Sequence, residues 1–380
     1  MKKYLSDTRR WLHMHPELSG NEEKTATFIQ SELLSFGISS HIVGTHSVVA
    51  DICGTKARDI TKKTVALRAD MDALPITEAN EVSYCSQNPG VMHACGHDTH
   101  TAMLLGAAKE LKTRQNEFSG NIRLIFQEAE ETLAGAKKVI DDGVLDCVDS
   151  IFGMHITPFI PVGTYFIKEG AIMSSGGGLE IRVHGNSGHA SAPDRVTNPI
   201  PVLQEIMSQI SSMIPNYISP GDHFVMAPTM LSAGVKTNII PPEAYLYYNW
   251  RFFDLKYEQI IIEKFGGAAK MIAEINGAKA EVNYLPKTYA LVNDPTYCEM
   301  IRKAAENRFG RRIREEVFTP SGSEDFALYL REVPGAFLML GAMAESGVRE
   351  PHSEYFDINE EALEYGQGLY VECALEALNR

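Results

Sequence analysis

The sequence has no run of about 18 consecutive apolar residues. Its charged start, MKKYLSDTRRW, has no apolar segment behind it, so neither a membrane-spanning helix nor a secretory leader is expected. Basic residues are not in excess: 35 Lys and Arg stand against 49 Asp and Glu, a net charge of −14. That balance argues against a nucleic-acid backbone or an anionic membrane as the main partner and leaves a small ligand or another protein. The six cysteines, Cys53, Cys85, Cys95, Cys147, Cys298 and Cys373, form no C-x-x-C pair. Such spacing fits a reduced, cytoplasmic chain, with most thiols buried, better than a disulfide scaffold. Internal repeats and low-complexity tracts are missing too. What is present is globular: 380 residues, 44% hydrophobic and 22% charged, too long for one ordinary core and suited to two domains.

Ala26, Ile29, Leu33 and Phe36 recur at helical spacing between Asn21 and Gly37. Short β-branched runs follow near 40–43, at 47–53 and at 64–69. Then come a helix near 99–112, a strand at 121–126, a helix near 132–141 and a strand at 150–155. The alternation predicts an α/β sheet. At SSGGG, 174–178, the style changes, and the glycines read as a flexible hinge. Beyond them the order is strand, helix near 197–213, strand near 223–231, strand AYLYYNWRFF, helix near 256–275, strand AEVNYL. This is the βαββαβ order of a ferredoxin-like unit. Helices near 295–308 and 359–377 and a buried strand at 336–340 resume the first style. The reading is an α/β catalytic domain, 1–174 and 288–380, with a lid at 175–287 inserted into it.

Chemistry collects in MHACGHDTH, 92–100. Cys95 and His97, two apart, can point to one side of an extended loop with donors that zinc and similar ions favour. A helix-capping loop with a buried Cys is the alternative. Glu128, Glu130 and Glu131 directly follow an apolar strand, where three carboxylates repel one another unless a cation is present. One of Glu130 and Glu131 can bind a metal while the other aims at a water. A solvated acidic helix start would look the same. His155 and His352 lie at or after strand ends, as do the Asp residues of DMD at 70–72, and strand ends are where α/β sheets place ligand sites. Cys95, His97, Glu131, His155 and His352 are one donor too many for a closed tetrahedral site, which implies two divalent ions, with Zn, Mn, Ni or Co all compatible. Such a pair supplies hydroxide near neutral pH and polarises a carbonyl. Glu130 would move the proton to the leaving nitrogen, with Asp72 and Asp98 orienting ligand imidazoles from behind. In the insert, His189 can donate to an oxyanion, and Asn238 and Arg251 can hold a substrate carboxylate or amide. Each could instead satisfy loop carbonyls.

HMHPELSGNE, LRADMDALPI, MHACGHDTH, FQEAEE, GMHITP, SGHASAPD, TNIIP, SGSEDFALY and PHSEYF, in this order over residues 13–356, resemble the metallo-aminoacylase and carboxypeptidase family. The likeness is greatest to its amidohydrolase branch of hippurate hydrolases, N-acetyl-amino-acid deacetylases and auxin-conjugate hydrolases. The resemblance implies a di-metal, aminopeptidase-like catalytic domain with a smaller lid that dimerises. It assigns metals to Cys95, His97, Glu131, His155 and His352, the base to Glu130 and a role in the partner's active site to His189. Asn238 and Arg251 match lid positions used for substrate contact. Departures are Glu128 where the family has proline, expected to add charge and loosen the backbone beside the base, Asp194 for a usual His, and Tyr248–Phe253 for a usual G-T-x-R-T-F. His13 and His15 look structural.

The expected activity is metal-dependent hydrolysis of the amide of small N-acyl amino acids, acetyl or aroyl, by a cytoplasmic homodimer. Dipeptidase or carboxypeptidase activity at the same site is an alternative. A catalytically silent, metal-stabilised binding protein would keep the same core residues. A third possibility makes Cys95 a nucleophile with His97 as its base.

Overall fold

The computed structural model describes residues 1–57, 63–318 and 322–379; Ser321, which opens the SGSEDFALY motif, lies outside them. The chain folds as two compact units, Met1–Ile172 with Leu291–Arg380, and Met173–Ala290.

In the first unit an eight-stranded sheet runs in the order Ser40–Val43, Ser47–Cys53, Asn121–Gln127, Thr64–Asp70, Ser150–Thr157, Gly335–Gly341, Thr164–Phe166 and Arg314–Glu315. The four central strands, 121–127, 64–70, 150–157 and 335–341, are mutually parallel. Every residue of Thr64–Asp70 and Gly335–Gly341 is buried, as expected of parallel strands covered on both faces. Helices His97–Thr113, Pro295–Phe309 and Ala362–Leu378 share one apolar core with these strands. Parallel direction puts the carboxyl ends of the four strands on one rim. Asp70 and Gln127 are paired in register there, and Met339 pairs with His155.

In the second unit the strands run Phe224–Ala233, Glu243–Phe252, Ser175–His184, Lys279–Thr288, each antiparallel to its neighbour. Helix Pro199–Tyr217 and the helical run Lys256–Gln259, Ile260–Gly266 and Gly267–Ile275 complete the βαββαβ order. Strand Glu243–Phe252 alternates strictly, burying Ala244, Leu246, Tyr248, Trp250 and Phe252 against those helices. The expected insert, 175–287, falls inside this unit.

Three readings need correction. The glycines of SSGGG are not a hinge but the start of strand Ser175–His184. A Cβ on Gly177 would stand 2.4 Å from the Leu285 carbonyl, and one on Gly178 would stand 1.9 Å from the Tyr247 hydroxyl, so these positions are glycine because neighbours fill the space. The helix that ends at His13 and His15 runs over Lys2–Met14, bounds the pattern did not give; its buried face includes Arg9 and His13, which break the apolar pattern. The helix expected near 132–141 begins only at Gly135, so the acidic doublet precedes it. Only Cys298 and Cys373 are buried; Cys53 and Cys147 are exposed and all six thiols are free. Among the described residues no helix is long and apolar enough to cross a membrane.

Candidate metal centre

Strand Thr64–Asp70 delivers Asp70 and, two residues on, Asp72 to the rim. Asp72 accepts from His97 Nδ1 at 3.0 Å, from the Glu131 amide at 3.0 Å and from Ser19 at 2.7 Å. Because Asp72 accepts, His97 carries a proton on Nδ1 and turns Nε2 inward, 3.8 Å from Glu131 Oε1 and 4.0 Å from Glu130 Oε2. His155 donates from Nδ1 to the Ile156 carbonyl at 2.6 Å, leaving Nε2 facing Cys95 Sγ at 3.4 Å. His352, at φ +60°, is pinned by its amide to the Ala94 carbonyl and brings Nε2 to 3.6 Å from Glu131 Oε1.

Two donor groups therefore form, Cys95 with His97 and His155, and Cys95 with Glu131 and His352, each with its ligand atoms within 4.8 Å of one another. Cys95 belongs to both. All five predicted donors come together from segments spread over 95–352. The test of fit to a cation is chemical. His97 Nε2 and Glu131 Oε1 are buried and have no hydrogen-bond partner among the described residues, a state that costs free energy unless an ion completes it. Burial pushes His155 down to about 3 and the Cys95 thiol up, so each is neutral without a cation to oppose. Burial opposes charge on His97 too, but the Asp70 carboxylate holds it well above the ordinary range. A raised thiol is the opposite of an activated cysteine nucleophile, and the donor set fits a divalent ion.

Behind this layer lies one that sequence reading missed. Arg68, buried, donates to Asp70 at 2.7 Å, Asp325 at 2.8 Å and Gln127 at 2.9 Å, with Glu324 at 3.2 Å. Asp70 also accepts from His100 Nδ1 at 2.5 Å, while His100 Nε2 accepts the Ile156 amide at 2.9 Å, so both its nitrogens are used. Burial, then Glu324 and Asp325, push Glu130 well above the usual carboxylate range. Arg68 and Asp70 lie in LRADMDALPI and Glu324 and Asp325 in SGSEDFALY; an arginine inside an otherwise apolar strand was the available signal.

Two expectations fail. Asp98 orients no ligand imidazole: its Oδ2 takes Arg9 Nε and His13 Nδ1, each at 2.8 Å, anchoring the first helix. Glu128 does not loosen the backbone beside Glu130. Fully buried, it turns away to accept the amides of Thr45 and His46, each at 2.9 Å, and an ion pair from Lys138 at 3.3 Å.

In the second unit His189 is exposed on the short strand Gly188–His189, paired with Ile239–Ile240. Its Nδ1 accepts from the Ser191 amide at 3.2 Å and meets the Ser191 hydroxyl at 2.7 Å, which leaves Nε2 as the outward donor. Exposed Asn238 is beside it, its carbonyl accepting the Ala190 amide at 3.1 Å. Arg251 sits near the far end of strand Glu243–Phe252, donating to the Trp250 carbonyl at 2.9 Å. The unit therefore joins His189 to Asn238 and not to Arg251.

A sheet rim that gathers thiolate, imidazole and carboxylate donors beside a second carboxylate is a hydrolase arrangement. The family model for peptidase family M20/M25/M40 matches residues 66–376, and the chain belongs to that family of amide-bond hydrolases, as the resemblance implied. It is 38% identical over 376 residues to the N-acetylcysteine deacetylase of Bacillus subtilis, covering 98% of this chain and 97% of that protein. It is 37% identical to thermostable carboxypeptidase 2 of Saccharolobus solfataricus, covering 100% of this chain and 97% of that protein. The Bacillus subtilis YXEP protein, described as a dinuclear metal binding peptidase of the M20 family, superimposes with a TM-score of 0.82 at 36% identity, covering 100% of this chain and 98% of that one.

Proposed function

We propose that the protein hydrolyses the amide bond of small N-acyl amino acids, and that Cys95, His97, Glu131, His155 and His352 are the residues that would hold two divalent ions. The observation that carries this reading is the pair of buried atoms, His97 Nε2 and Glu131 Oε1, 3.8 Å apart, without a hydrogen-bond partner among the described residues and beside further donors. When bound, such ions supply Lewis-acid polarisation of an amide carbonyl and make hydroxide available near neutral pH.

The chain's own residues do the rest. Glu130, next to a ligand yet outside both Cys95 groups, takes a proton from the attacking water and delivers it to the leaving nitrogen. Asp72 keeps His97 in one tautomer and holds the Glu131 amide, so base and ligand keep a common frame. His189 offers Nε2–H to a developing oxyanion with Asn238 as a further donor beside it, and Arg251, at a separate place in the unit, is a candidate for a substrate carboxylate. A deacetylase and a carboxypeptidase among its relatives share one substrate element, an acylated nitrogen next to a carboxylate-bearing carbon, and an N-acyl amino acid is its smallest form. Six free cysteines support a cytoplasmic location. Apolar Val225, Met230 and Leu231, exposed on strand Phe224–Ala233, support a homodimer through the inserted unit acting as a lid.

The test is a hydrolysis screen of the metal-reconstituted protein over acetyl, aroyl and peptidyl amino acids, read by amine release. Acyl amino acids should be turned over, and Glu130→Gln should keep its metal by elemental analysis while losing roughly 10²- to 10⁴-fold in kcat. A metal-loaded protein that binds these compounds and releases no amine would establish the silent binding reading instead.

A further inference from the structure

The backbone amides on both sides of Glu130 are held by carboxyl groups from distant parts of the chain. Glu131 N–H donates to Asp72 at 3.0 Å, and Ala129 N–H donates to Glu22 Oε1 at 2.8 Å. Asp72 belongs to the centre already described. Glu22 does not: it stands just ahead of helix Glu23–Ser35, and its side chain makes no capping hydrogen bond to that helix, the usual task of a polar group there. It is fully buried, and besides the Ala129 amide the backbone amides of Gly20 and of Glu22 itself favour its charge against burial. A carboxyl group in such a place is unfavourable unless what it holds requires it.

What it holds is a strained turn. Ala129 has φ +55° and Leu133 φ +57°, both in the left-handed region that L side chains adopt only when their surroundings impose it. From one side the Ala129 carbonyl accepts the amides of Ala134 and Gly135, each at 3.2 Å. From the other, Glu22 takes the Ala129 amide. The peptide groups from which Glu130 projects are thus pinned at both ends, and the pin on the amide side reaches across 107 positions of sequence.

We propose that Glu22 is a positioning residue for the hydrolytic reaction: by accepting the Ala129 amide it fixes the left-handed turn that aims the Glu130 carboxylate, touching neither substrate nor metal. The proposal rests on Glu130 as the base. The part that matters is the acceptor oxygen, which glutamine retains and alanine or methionine lacks, and the turn needs the tether because residue 129 carries a Cβ.

The experiment compares full-length, metal-reconstituted wild type with Glu22→Gln, Glu22→Ala, Glu22→Met and the double variant Glu22→Ala with Ala129→Gly. Glu22→Ala should lower kcat on the order of 10²-fold with KM within about twofold, the signature of a displaced catalytic group. Glu22→Gln should keep most of kcat. Glycine at 129, which adopts positive φ without strain, should restore roughly tenfold or more in the Glu22→Ala background. If Glu22→Ala does not fold, Glu22→Met, similar in length and apolar, carries the same prediction. Amide hydrogen exchange at Ala129 gives a readout independent of turnover: protection should be lost with Ala or Met at 22 and kept with Gln. Wild-type kcat in Glu22→Ala, or unchanged exchange at Ala129, overturns the proposal. A general structural role would lower the melting temperature, would not split kcat from KM, and would not be rescued by glycine at 129; that pattern overturns it as well. Should the wild type hydrolyse no acyl amino acid, the functional reading fails while the exchange measurement still decides the tether.

Discussion

In the first unit Arg9, Arg68, Asp70, Asp72, His97 and Asp98 are each at most 1% exposed, and nearly every polar atom among them has a partner. In the second, the buried set is Leu179, Ile181, Leu246, Tyr248, Trp250, Phe252 and similar residues, while His189, Asn238 and Arg251 lie in water. The contrast divides the work. Buried polar groups held by several bonds keep their positions and have their proton affinities displaced, which acid–base and metal chemistry require. Exposed donors on a strand or its edge can adapt to a substrate and carry little of the fold's stability.

The contrast can be broken in four places, the largest effect first. Arg68→Met should cost about 3–5 kcal/mol of unfolding free energy, because it removes the counter-charge of buried Glu324 and Asp325 and leaves Asp70 to His100. A denaturant titration showing a loss below about 1 kcal/mol would mean the network is not under that tension. His189→Ala, by contrast, should leave the melting curve in place and reduce kcat by about 10²- to 10³-fold, the usual cost of removing an oxyanion donor; unchanged turnover would remove His189 from the reaction. Gly177→Ala should destabilise the second unit by about 1–3 kcal/mol, since its methyl meets the Leu285 backbone, which cannot step aside. A neutral result would restore the hinge reading.

The smallest effect is one of pH. Burial works against the charge of Glu78, but hydrogen bonds from His13, the Ser86 amide and Asn80 hold it down to about 2 from an ordinary 4.5. Its folded value is the lower one, so its contribution is complete above pH 4.5 and is lost as pH falls toward 2. Glu78→Gln should therefore be less stable than wild type at pH 6, with the gap closing between pH 4.5 and 2. A gap independent of pH in chemical denaturation would show that the pairing stabilises nothing by charge.

Legibility followed the same division. Strand Ser47–Cys53 was readable to the residue, and the parallel core strands to within about two, because buried β-branched runs leave a local signature. Helix Lys2–Met14 was not, because its inward face is completed by Arg9 and His13, whose partners Asp98 and Asp357 lie far along the chain. Asp98 looked like a support for the ligands because it adjoins His97; on a helix, adjacent side chains diverge, and it faces the first helix instead. Glu128 looked like added charge at the base; alternation would put residues 128 and 130 on one side, but the left-handed turn at Ala129 breaks it and Glu128 faces the Thr45 and His46 amides instead.

The order of residues by itself brought out the candidate donors, the Cys95 and His97 pair, the acidic doublet and two further histidines, and the βαββαβ insert, because these depend on side-chain chemistry and local periodicity. Only the tertiary structure decided which carboxyls serve the centre and which anchor the fold, and which glycines give way to packing. Charges and strained turns take their meaning from partners tens to hundreds of residues away, and no local pattern records whether a buried arginine, an Asp70 or a Glu22 has found its counterpart.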